Sequence, residues 1–256
     1  MKTITLNASV TASNERDADA LRARMRACGT LLVNVMSSPG AGKTTLLSRL
    51  IRDLDGIRIA VMEADIESDV DAKRIEALGA SSIQVHTSGM CHMDAGMTAA
   101  AFDELQQTLP CPQAIQLPSA QNLPCSQGRG TALKGGGGVK GGGGVSSDFD
   151  LIFLENVGNL ICPAEYDTGA GLNLMLLSVP EGDDKPLKYP LMFQKSDALI
   201  VTKTDALRYF NFDLSKCEAR ARALNPNLKI FPVSAKTGEG MDKLETWLKQ
   251  QMDEYR

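Results

Sequence analysis

No apolar stretch of this chain approaches the roughly 20 residues of a membrane-spanning helix, which argues against a helical membrane protein. The first residues, MKTITLNASVTASNERDAD, lack the apolar core of a secretory signal, so a cytoplasmic location is expected. Acidic residues outnumber basic ones only slightly. A net charge of −4 leaves no electrostatic case for binding nucleic acid or an anionic membrane. Histidine is scarce, with two residues. His86 reads as a strand-end residue, while His92 stands beside Cys91. Six cysteines in a chain with no export signal read as thiols or metal ligands rather than disulfides. Cys28 and Cys217 fall on helix faces and read as packed thiols.

Apolar content is ordinary, and 256 residues suffice for one sizeable α/β core. Residues 15–28 predict a short helix with Leu21, Met25 and Cys28 on one face and Gly29 as its stop. Leu31 to Met36 reads as a buried strand running into a glycine loop. Leu46, Leu47, Leu50, Ile51 and Leu54 then have the spacing of a helix packed on a sheet. Further strands are expected at 57–62, near 83–85, and at 150–155, 198–202 and 228–233. Helices are expected around 71–78, over 93–107, and at the C-terminus through Met241, Leu244, Leu248 and Met252. Such alternation implies an α/β fold with a mostly parallel sheet covered by helices on both faces. We expect a single G domain over 1–256. From about 108 to 147 the pattern collapses into Pro, Gln, Ser and Gly, including Gly135–Gly138 and Gly141–Gly144, and reads as a disordered insertion. Nothing beyond Cys111 and Cys125 suggests a function for it.

Ser37-Ser38-Pro39-Gly40-Ala41-Gly42-Lys43-Thr44-Thr45 follows an apolar strand and opens an amphipathic helix. It matches the P-loop pattern G-x-x-x-x-G-K-[ST] except that Ser37 replaces the first glycine. Such a loop turns its N–H groups toward phosphates at a helix N-terminus. Gly40 and Gly42 would allow close backbone approach, Lys43 would meet the β- and γ-phosphates, and Thr44 would ligate Mg²⁺. Asp65, at the end of the second strand, is a candidate for holding Mg²⁺ or orienting the attacking water, with Asp71 a weaker one. Glu155-Asn156-Val157-Gly158 places a second Mg²⁺-holding acid at a strand end and a γ-phosphate-sensing glycine after it. The catalytic set is therefore expected to be Lys43, Asp65 and Glu155.

Thr202-Lys203-Thr204-Asp205 and Ser234-Ala235-Lys236 also follow strands. The Asp205 carboxylate can accept from guanine N1–H and N2–H₂ together, which adenine cannot offer. Lys203 can lay its stem along the base. Thr202 stands where such boxes usually have Asn. A backbone N–H of the Ser234-Ala235-Lys236 block can donate to guanine O6. In this order after a P-loop, the two blocks predict GTP rather than ATP.

Cys91-His92 opens the predicted 93–107 helix, and Cys162 follows the Glu155 block. Thiolate and imidazole suit Ni²⁺, Zn²⁺ or Cu⁺ rather than Mg²⁺. Three ligands are one short of a closed tetrahedral site, which a dimer could complete. If residues 155–158 move with the γ-phosphate, Cys162 moves with them, so nucleotide state and metal geometry become coupled.

With these residues in view, the chain resembles the HypB family of hydrogenase nickel-incorporation GTPases. The matching blocks are MSSPGAGKTTLL, CHMDAGM, LIFLENVGNLICPAEYD, TKTD and SAKTGEGMD, spread over most of 30–107 and 150–248. The resemblance implies a SIMIBI-class P-loop GTPase that forms a homodimer on binding GTP. It implies an interfacial Ni²⁺ or Zn²⁺ site using Cys91, His92 and Cys162. It also implies two partners, a HypA-type nickel accessory protein and the hydrogenase large subunit. Many relatives carry an N-terminal cysteine motif or a histidine-rich stretch. This sequence shows neither, so only the G-domain site is expected. No obvious glutamine or arginine finger is visible, so slow intrinsic turnover is expected. Two alternatives are a metal-binding module whose nucleotide site gates dimerisation, and a related GTPase maturing another metalloenzyme.

Overall fold

The computed structural model describes residues 7–64, 75–87, 89–108 and 147–256. Helix α1 (Asn7–Cys28) leads into β1 (Leu31–Ser37), α2 (Lys43–Asp53), β2 (Ile59–Glu63), β3 (Ser81–Gln84) and α3 (Ala95–Thr108). After the insertion come β4 (Leu151–Glu155), the short α4 (Cys162–Glu165), β5 (Leu172–Ser178), the short α5 (Lys185–Lys188) and α6 (Pro190–Lys195). The chain ends with β6 (Ala198–Thr202), α7 (Leu214–Leu224), β7 (Lys229–Pro232) and α8 (Met241–Tyr255). The strands form one sheet in the order β3-β2-β4-β1-β5-β6-β7, with every pairing parallel. The expected α/β class is thus observed. No described helix is long and apolar enough to cross a membrane.

Covering both faces explains why β1, β2, β4 and β6 read as unbroken buried runs. Alternate residues of β1 serve opposite sides. Leu31, Val33 and Val35 pack with α2 and α8 through Leu46, Leu47, Leu50, Leu244 and Leu248. On the other face Leu32 joins Leu21, Met25, Phe102 and Leu105 of α1 and α3, whereas Met36 joins Phe193 and Cys217 of α6 and α7. Between those two apolar clusters the same strand face carries a buried amide, Asn34.

Several elements differ from the sequence reading, β5 and α1 among them. Strand β5 pairs with β1 in the middle of the sheet and was not anticipated. Its Leu-Met-Leu-Leu run has no alternation, because both faces are covered. Helix α1 begins at Asn7 instead of residue 15, its first turns showing no apolar period. Residues 71–74 of the helix expected around 71–78 lie outside the described residues, as do residues 109–146 of the expected 108–147 insertion, with Cys111 and Cys125.

Candidate nucleotide and metal site

In a parallel sheet the carboxyl ends of the strands all emerge at one edge, where ligands bind. Ser37, Glu155, Thr202 and the residues after Pro232 all lie at that edge, which brings the separated motifs together. Gly40 and Gly42 of the phosphate loop have φ of 73° and 99°, in the left-handed region that a side chain disfavours. Lys43 is buried, and its Nζ donates to Ser37 Oγ at 3.2 Å. Ser37 thus contributes a hydroxyl where the loop pattern has glycine. Thr44 Oγ1 donates to Glu155 Oε1 at 3.3 Å, so the expected hydroxyl and carboxylate converge. Thr45 is exposed. Asp65 and Asp71 lie outside the described residues. Ala64 N–H donates to Glu155 O at 2.9 Å, which puts the end of β2 beside the Glu155 block.

The two blocks expected to recognise the base are fastened to the loop and to each other. Thr202 Oγ1 donates to Ala41 O at 2.6 Å and Lys203 Nζ donates to Gly40 O at 2.7 Å. A threonine at 202 therefore pins the phosphate loop to β6. Lys203 is the one described non-glycine residue with positive φ, 62°. That conformation costs roughly 1–2 kcal/mol for a residue with a Cβ. The Lys203 bond and Thr204 N–H to Val233 O at 3.2 Å hold it in place. Ser234 Oγ donates to Asp205 Oδ1 at 2.7 Å, aligning one block with the other. Ala235 is half-buried and Lys236 exposed. Gly158 lies on the phosphate loop itself. A Cβ there would stand 3.1 Å from Pro39 Cγ and 3.2 Å from Pro39 N and Cα.

The ligand atoms of Cys91, His92 and Cys162 lie within 4.8 Å of one another. The two Sγ atoms are 2.8 Å apart, and Cys91 Sγ is 3.8 Å from His92 Nδ1. Asn159 Nδ2 donates to Cys162 Sγ at 3.5 Å. The His92 ring stacks on Tyr166, with centroids 3.7 Å apart at 14°. Burial pulls His92 below its ordinary pKa, against the opposing fields of Asp94 and Glu165, which favours the neutral imidazole a metal requires. The hydrogen bond with Cys91, and then burial, raise the Cys162 thiol, so it would have to shed a proton to serve as a metal ligand.

One residue joins the nucleotide and thiol groups and was missed in the sequence. Asn156, buried directly after Glu155, accepts at Oδ1 from Met93 N–H at 3.2 Å and from Val157 N–H at 2.9 Å. Its Nδ2 donates to Asn34 Oδ1 at 3.0 Å, and Asn34 Nδ2 donates to Asn173 Oδ1 at 3.0 Å. This directional chain of amides crosses β4, β1 and β5. The signal was present: an asparagine inside the apolar run LLVNVM needs buried partners.

Residues 31–232 match the family model described as the CobW/HypB/UreG nucleotide-binding domain. A hydrogenase maturation factor HypB of Cupriavidus necator is 45% identical over 251 residues, covering 96% of this chain and 69% of that protein. A hydrogenase/urease maturation factor HypB of Helicobacter hepaticus is 37% identical over 249 residues, covering 97% of this chain and 88% of that protein. Among solved structures, HypB from Helicobacter pylori in complex with nickel superposes with a TM-score of 0.76 at 34% identity, covering 94% of this chain and 96% of that one. HypB from Archaeoglobus fulgidus gives 0.74 at 29% identity, covering 94% and 99%. The chain therefore belongs to the HypB hydrogenase maturation factors, within the CobW/HypB/UreG family of nucleotide-binding proteins.

Proposed function

We propose that this HypB-family GTPase uses its nucleotide cycle to control delivery of Ni²⁺ to a [NiFe]-hydrogenase. The observation that carries the reading is the tether through Asn156. The strand end bearing Glu155 continues into Cys162 and is bonded through Asn156 to Met93, the neighbour of Cys91-His92. A displacement of 155–158 would reach all three candidate ligands. That supplies a two-state element which nucleotide and metal both bias, as coupling between sites requires.

Gly40 to Thr45 would cradle the phosphates, with Lys43 against the transferred group and Gly158 sensing it. Thr202, Lys203 and Asp205 with Ser234, Ala235 and Lys236 would hold guanine. Thr44 and Glu155 offer convergent hard oxygens that fit Mg²⁺, and Asp65 would join them. Bound Mg²⁺ would neutralise charge on the phosphates. Lys43 and the loop N–H groups would do the same from the protein side, while Asp65 would orient the attacking water. Intrinsic turnover below about 1 per second is expected without an arginine finger.

Ni²⁺ is the cargo, held by Cys91, His92 and Cys162, and Zn²⁺ would compete for the same soft ligands. Met90 and Ile161, flanking the two cysteines, are 41% and 56% exposed, apolar rims suited to a second copy of the chain. GTP would favour that homodimer, ligands from both copies would complete the site, and hydrolysis would reset it. A HypA-type accessory protein and the hydrogenase large subunit are the partners this role requires, in the cytoplasm. Light scattering with GDP and with a non-hydrolysable GTP analogue, with and without Ni²⁺, tests the cycle. Analogue-dependent dimers are expected, and a mass indifferent to nucleotide would contradict it.

A further inference from the structure

Helix α1 carries none of the nucleotide motifs, yet one of its side chains touches both ligand-bearing segments. Asn14 Nδ2 donates to Asp167 O at 2.9 Å, and Asn14 Oδ1 accepts from Ala95 N–H at 3.0 Å. Ala95 opens α3, three residues after His92. Asp167 directly follows Tyr166, whose ring stacks on His92. A single amide, using both its donor and its acceptor, therefore spans the Cys91–His92 segment and the Cys162–Tyr166 segment from outside.

Arg22 and the close approach of Gly169 stiffen this clip. Arg22 makes a two-pronged bond to Asp167, 2.8 Å to Oδ1 and 2.9 Å to Oδ2. Gly169 is pressed onto α1, where a Cβ would come within 2.9 Å of Leu21 Cδ2. Arg24 binds Asp103 and Gln106 of α3, farther from the ligands. Beside the clip a cleft of about 190 Å³ is lined by Asn14, Glu165, Tyr166 and Asp167 among others. It gives segment 163–167 space to move into once the clip is cut.

We propose that Asn14 is a positioning residue for the Cys91–His92–Cys162 site: it holds the two ligand-bearing segments at one spacing and so sets nickel affinity. The proposal rests on the reading that those three residues bind the metal. Metal ligands must converge to within a few tenths of an ångström, and groups that only orient ligands commonly change affinity about 10- to 100-fold when removed.

The test uses the full chain with GDP and Ni²⁺ alone. It reads the nickel Kd by chelator competition, the thiolate-to-nickel charge-transfer band, and Tm. Asn14→Ala is expected to weaken nickel binding about 10-fold or more and to alter the band. Asn14→Asp keeps the acceptor for Ala95 N–H but sets a carboxylate oxygen against Asp167 O, so affinity should stay weakened, and wild-type affinity in it would also overturn the clip. Arg24→Ala loosens α1 on α3 without touching the clip. It should lower Tm while leaving Kd and band unchanged. Wild-type affinity in Asn14→Ala, with binding abolished in Cys162→Ala, would overturn the clip and leave the site standing. Equal weakening by Arg24→Ala would overturn it by reducing Asn14 to general stability. Full binding in Cys162→Ala would overturn the site reading and the proposal with it.

Discussion

Cutting the tether at Asn156 should separate stability from coupling. Asn156→Ala leaves the Met93 and Val157 N–H groups and Asn34 Oδ1 without their partner, at a position 1% exposed. A buried polar group left unpaired costs about 1–3 kcal/mol, and water entering the vacated space recovers part of that. We expect a net loss of about 3 kcal/mol, which in a chain of this size lowers Tm by roughly 6–12 °C. The three thiol and imidazole ligands stay, so nickel should still bind. What should vanish is the difference between nucleotide states. In the wild type the nickel Kd with GDP and with a GTP analogue should differ by about 5- to 150-fold, the usual range for coupled sites. In Asn156→Ala the ratio should approach about 1. Asn156→Asp keeps the acceptor for Met93 and Val157 but sets a buried carboxylate oxygen against Asn34 Oδ1, so it should lose stability yet retain the ratio. Calorimetry for Tm and chelator competition for Kd read both quantities. A wild-type ratio in Asn156→Ala would refute the tether.

Asp205→Ala removes a charge-assisted acceptor for guanine and should reduce the preference for GDP over ADP about 10- to 100-fold in competition binding. Ser234→Ala, which frees the Asp205 carboxylate from its 2.7 Å bond and takes the acceptor from Thr237 N–H, should cost about 5-fold. Gly158→Ala drives a Cβ to 3.1–3.2 Å from Pro39, mostly against backbone, so the loop must shift. GTP turnover should fall while GDP affinity stays near wild type, and equal turnover would argue against a switch at this glycine. At the opposite edge of the sheet, Arg58 hydrogen bonds hold Asp150 below the usual carboxylate range against burial, with Arg256 adding to them. A carboxylate with a depressed folded-state pKa stabilises above its unfolded value and loses that contribution as pH falls through the folded one. Asp150→Asn should therefore cost about 1 kcal/mol between pH 5 and 8 in urea melts, a cost that begins to fade only below about pH 4 as the pH falls toward the depressed folded-state value.

The sheet was largely legible because both its faces are covered, so its strands are short apolar runs punctuated by the phosphate loop, Glu155, Thr202 and Ser234. The missed strand, β5, has the same character, but no motif marks its end; Gly171 and Pro180 were the available boundaries. Cys91, His92 and Cys162 were singled out by ligand chemistry, and the fold brings the two cysteines together from 71 residues apart. What joins and holds them was not legible. Asn14, Asn34, Asn156 and Asn173 act through tertiary hydrogen bonds that have no period and no spacing along the chain. Thr202 departs from the usual asparagine of its box, and only the bond to Ala41 O shows that its hydroxyl grips the phosphate loop.

The most direct test is the nickel affinity of the full chain measured with GDP and with a non-hydrolysable GTP analogue, in the wild type and in Cys162→Ala. The account predicts an affinity that changes with nucleotide in the wild type and binding that collapses in the variant. Nickel binding indifferent to both the nucleotide and Cys162 would contradict it.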